Sequence, residues 1–121
     1  HGVSHHQLDS HNIEQYTKIN THQMSLFARF VEKLHNTPDG DGTLLDHSIT
    51  LYGTGMGDGD HHTPYNLPVT LVGGGCGQLA GGRHVKYELN TPFMNLGVSL
   101  LEKVGVQVDR VSDSTGRLSD L

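Results

Sequence analysis

Between positions 12 and 35, apolar residues recur at three- and four-residue steps: Ile19, Leu26, Phe27, Phe30, Val31 and Leu34. That spacing gathers them into one stripe of a 3.6-residue helix, so the segment is predicted to be a single long helix. Ser10 is positioned to cap its start, and Pro38-Asp39-Gly40-Asp41-Gly42 ends it in a turn. The aspartates of that turn do not form an EF-hand calcium loop, because Leu44 stands at the sixth position, where such a loop requires glycine. The period then changes. Residues 48–53 and 67–72 are short, nearly continuous apolar runs, predicted as strands buried on both faces of an α/β sheet. The helical stripe at Leu26, Phe27, Phe30, Val31 and Leu34 is expected to pack against this strand pair.

The segment joining the strands, Gly53-Thr54-Gly55-Met56-Gly57-Asp58-Gly59-Asp60-His61-His62-Thr63-Pro64, has no helical or strand period and reads as a strand-end loop. In open α/β sheets, ligands bind at the carboxyl ends of strands, which directs attention to it. Gly73-Gly74-Gly75 reads as a tight reversal after the second strand, with Arg83 and His84 nearby should its amides meet an anion. Pro92 suits the first turn of a second helix running to about 104, with Gly105 as its stop. Residues 109–121 are polar and read as an irregular surface strap.

Composition narrows the function classes. Eight basic against 13 acidic residues leave a formal net charge of -5, which argues against a nucleic-acid or membrane-surface partner. No apolar run approaches the roughly 20 residues that a membrane span needs. Cys76 is the single cysteine, so the chain forms no internal disulfide, and an inert thiol is its default reading. Sixteen glycines and 34% hydrophobic residues in 121 are thin for a self-sufficient core. The chain is therefore expected to be one segment, residues 1–121, forming the C-terminal part of a larger α/β domain whose N-terminal part is its partner.

Ten histidines stand out, and two groups of them suggest chemistry. His1-Gly2-Val3-Ser4-His5-His6 carries His1 and His5 four positions apart, on one face of a helical turn. Asp58-Gly59-Asp60-His61-His62 carries a second set in the strand-end loop. Neutral imidazole is the commonest side-chain ligand for zinc and its neighbours, so His1, His5 and His61 or His62 are candidate ligands. Asp58 is a candidate ligand or general base, with Asp60 the weaker of the two aspartates and His6 a candidate for orienting a ligand. His61 and His62 are expected to differ in role, because adjacent side chains of an extended segment point apart. The hydroxyl of Ser4 is expected to bond nearby backbone rather than act as a nucleophile. Gly53-x-Gly55-x-Gly57 is no dinucleotide fingerprint, since no helical pattern follows it.

The motif His1-Gly2-Val3-Ser4-His5-His6 resembles that of the bacterial HxxSHH proteins of unknown function. Further along, Leu44-Leu45-Asp46-His47-Ser48, Asn66-Leu67-Pro68-Val69, Gly81-Gly82-Arg83-His84 and Asp113-Ser114-Thr115-Gly116-Arg117-Leu118 extend the likeness over nearly the whole chain. That family is distantly similar to the alkaline phosphatase and sulfatase superfamily. The resemblance implies an exported protein, periplasmic or extracellular, with a partial alkaline-phosphatase-like fold. It also implies a metal, zinc first, held by His1, His5 and His61 or His62, and hydrolysis of a phosphate or sulfate ester. Gly55-Met56 stands where the superfamily carries an Asp-His dyad for a second metal, so a single ion is expected. The rival expectation is a non-catalytic exported protein whose histidines bind metal structurally or serve an assembly interface.

Overall fold

The computed structural model describes residues 1–121 and shows a mixed arrangement of helices and small antiparallel sheets. Helix α1 spans Ser10–His35, as its apolar period predicts. Its cap is Asp9, not Ser10: the Asp9 carboxylate accepts the amide of Asn12 at 2.9 Å. Beyond α1, the Pro38–Gly42 turn is a miniature hairpin of β1 (Pro38–Asp39) and β2 (Gly42–Thr43). A one-turn helix, α2 (Leu44–His47), follows, opened by a capping box in which the side chains of Thr43 and Asp46 serve each other's backbone amides. The Thr43 hydroxyl, with the Thr43 amide behind it, holds the Asp46 carboxyl below its ordinary range.

Strands β3 (Thr50–Gly53) and β4 (Val69–Val72) pair antiparallel, with Thr50 opposite Val72 and Gly53 opposite Val69. Their inward and outward positions alternate between half-buried and exposed, which corrects the expectation of strands buried on both faces. A two-stranded ribbon has only one neighbour per strand, and here α1 covers only part of one side. Phe27 of α1 stacks on Tyr52 of β3 with ring centroids 4.5 Å apart. Val31 and Leu34 are half-buried as Phe27 is, but the stripe is incomplete. Leu26 and Phe30 are each 48% exposed, and α1 has no buried residue.

The small core lies instead around α3 (Met94–Lys103), which buries Leu96 and Val98 together with Asn95 and Ser99. Gly105 ends this helix with φ +82°, and the amides of Gly105 and Val106 bond the carbonyls of Glu102 and Leu101 at 3.0 and 2.9 Å. This is a Schellman stop. The polar strap 109–121 is irregular but tied to α3. Asn95 exchanges hydrogen bonds with Thr115, the Leu118 amide donates to the Ser99 hydroxyl at 2.8 Å, and Arg117 pairs with Glu102 at 3.0 Å. Ser114, wholly buried, accepts the amide of Val111.

Candidate metal site

Two segments far apart in sequence build the site. The first is a single tight turn at the start of the chain. The carbonyl of His1 accepts the amides of Ser4 and His5, at 3.0 and 3.3 Å, and the hydroxyl of Ser4 at 2.7 Å. These bonds close one helix-like turn, so the side chains of His1 and His5 share a face. The ring centroids of His1 and His5 lie 4.6 Å apart. Ser4 is thereby occupied as a backbone bonder.

The second segment is the loop between β3 and β4. It folds back on itself through a bridge between Asp58 and Thr63, with Gly57 N–H on the Thr63 carbonyl at 2.9 Å and Thr63 N–H on the Asp58 carbonyl at 3.1 Å. Gly57 is required at this crossing, because a Cβ there would stand 2.1 Å from the carbonyl oxygen of Tyr65. His62, immediately before the bridge residue Thr63, has a left-handed backbone with φ +54°.

The outcome separates the two adjacent histidines. One ligand nitrogen from each of His1, His5 and His62 lies within 4.8 Å of the others. The His62 ring is 4.6 Å from that of His5 and 6.3 Å from that of His1. His61 and Asp58 stand outside this trio and engage each other, Nδ1 of His61 to Oδ2 of Asp58 at 3.0 Å. That hydrogen bond, with the Asp60 amide on the same carboxylate, holds the Asp58 carboxyl below its ordinary range, and it raises the His61 imidazole above its own. The carboxylate of Asp58 therefore already serves His61 and the Asp60 amide.

Asp60, the weaker aspartate candidate in the sequence, has a larger place in the structure. Its carbonyl meets Nδ1 of His5 at 3.1 Å, and its carboxylate accepts the amide of Gln7 at 3.1 and 3.2 Å. His6 lies 3.6 Å from the same carboxylate, but its Nδ1 accepts the Leu8 amide at 3.2 Å and so is no donor to Asp60. Elsewhere, the amides of Gly74, Gly75 and Cys76 are taken by the carbonyls of Leu45, Ser48 and Asp46, which leaves no anion cradle in the glycine run.

The donor set suits a transition metal. With metal–nitrogen bonds of about 2.0–2.1 Å, tetrahedral ligand atoms lie roughly 3.3 Å from one another. The three nitrogens stand within 4.8 Å of one another, and His1 and His62 are exposed, leaving the approach open to solvent. No helix is long and apolar enough to cross a membrane. No family model, curated protein or solved structure matches the chain.

Proposed function

We propose that this chain is the metal-binding segment of an exported, alkaline-phosphatase-like protein that hydrolyses phosphate or sulfate esters. In this reading His1, His5 and His62 hold one divalent transition-metal ion, zinc first. The observation that carries it is the meeting of three imidazoles from two segments within 4.8 Å, with two of the three exposed. Zinc in such a site supplies Lewis acidity toward an ester oxygen and lowers the pKa of bound water toward neutrality. The chain's own contribution is to present three neutral nitrogens and to keep the fourth position accessible, the arrangement of catalytic rather than structural zinc sites. Asp58 is not a free base in this reading, because its carboxylate is engaged by His61 and the Asp60 amide outside the trio. The nucleophile would come from an N-terminal part of the same protein, which would also cover the apolar residues that α1 leaves exposed.

The engagement of Asp58 also favours a second reading, a non-catalytic metal site with a structural or assembly role. Zinc-dependent release of nitrophenol from an aryl phosphate or aryl sulfate, measured on the protein with its N-terminal part attached, separates the two. The hydrolytic reading expects a rate that appears with zinc and vanishes in His62→Asn. Zinc bound with no rate above buffer would establish the second.

A further inference from the structure

We infer that Asp60 is a positioning residue for the three-histidine site, joining its two segments and fixing the tautomer of His5. This rests on the metal reading above, and it begins with donors and acceptors. A main-chain carbonyl can only accept, so the 3.1 Å contact from the Asp60 carbonyl requires the proton of His5 to be on Nδ1. Nε2 is then the nitrogen of His5 with a lone pair to offer a metal. In metal sites, such an N–H···O=C contact commonly orients a ligating imidazole.

The carboxylate does the complementary work. Asp60 is followed by two histidines and preceded by Asp58-Gly59, so a local turn role is its ordinary expectation. Its side chain instead reaches across 53 positions to the Gln7 amide, and only 8% of that side chain is exposed. Gln7 and Leu8 are held at φ +46° and +62°, a left-handed stretch that non-glycine residues adopt only when their surroundings enforce it. The Gln7–Asp60 bonds lie at that kink, immediately beyond His5 and His6. One residue thus grips the N-terminal turn twice, by backbone at His5 and by side chain at Gln7.

The test uses the 121-residue chain with labelled histidine nitrogens, first without metal and then titrated with zinc. Nitrogen NMR of the metal-free wild type should show His5 protonated at Nδ1. Asp60→Ala keeps the carbonyl but removes the Gln7 grip that holds it against His5, so the Nδ1 signature should weaken and zinc should bind about 10–100-fold more weakly. Asp60→Asn, whose amide oxygen still accepts from Gln7 N–H, should recover most of both. A merely structural role would leave the tautomer unchanged. His5 protonated at Nε2 in the wild type overturns the inference, whatever the variants do. So does an Asp60→Ala chain that keeps both the Nδ1 tautomer and the wild-type zinc affinity. A wild type that binds no zinc yet shows the Nδ1 tautomer overturns the metal reading and leaves the joining role of Asp60 supported.

Discussion

His47 shows how single polar contacts organise this chain where apolar packing is sparse. Its Nδ1 lies 2.9 Å from Asp39 and its Nε2 3.2 Å from Asp41, so the imidazole of α2 clasps both ends of the β1–β2 turn. The hydrogen bond to Asp39 is the main reason its pKa is raised above the ordinary value, with the charges of Asp39, Asp41 and Asp46 adding to it against partial desolvation. A raised histidine pKa stabilises the folded state fully below the unfolded value of about 6.5, and that contribution fades as pH rises through the folded value. The clasp should therefore loosen on the alkaline side of the ordinary imidazole range. Proton NMR of the His47 ring should titrate above about 6.5, and Asp39→Asn should bring it back toward that value. A wild-type ring titrating at or below the ordinary value would show that the clasp does not form in solution. The same residue-scale logic distinguishes His61 from His62. The sequence offers two adjacent imidazoles, and in the structure His62 meets His1 and His5 while His61 bonds Asp58. Side-chain identity carries no signal of that choice, nor of a carbonyl contact such as that of Asp60.

Among the elements, helices were the more legible. The three- and four-residue spacing from Ile19 to Leu34 marks α1, and Pro92 and Gly105 bracket α3, because helix period and helix ends are local properties. The Thr43-x-x-Asp46 capping box is also present in the sequence as a signal for α2. The strands were found but misjudged. An unbroken apolar run such as Val69–Val72 looks the same in a buried parallel sheet and in a half-covered antiparallel ribbon, since period alone carries no partner. The stripe on α1 has the same ambiguity, and its residues can be told apart by substitution. Phe27, stacked on Tyr52, should cost about 1–2 kcal/mol when truncated to alanine. Phe30, 48% exposed, should cost well under about 1 kcal/mol. Equal denaturant midpoints for the two variants would mean that α1 does not lie on β3 through Phe27.

Across the whole molecule, apolar burial and candidate chemistry lie in different places. Leu96 and Val98 form the buried apolar core around α3, while the three histidines gather at the junction of the N-terminal turn and the β3–β4 loop. That junction is held by hydrogen bonds from Asp60 and by the turn at His1. A bound ion adds its binding free energy to the folded state. Zinc should therefore raise the thermal midpoint of the wild type, and the effect should fade at acidic pH as imidazoles take up protons. The account stands or falls on which residues take the ion. Zinc stoichiometry of the intact chain, read by native mass spectrometry, decides this with two variants. Asparagine is the replacement of choice at His62, since it tolerates the left-handed backbone there. The wild type and His61→Ala should each carry one zinc, and His62→Asn should carry none. A His62→Asn chain that keeps its zinc, or a His61→Ala chain that loses it, would contradict the three-histidine site.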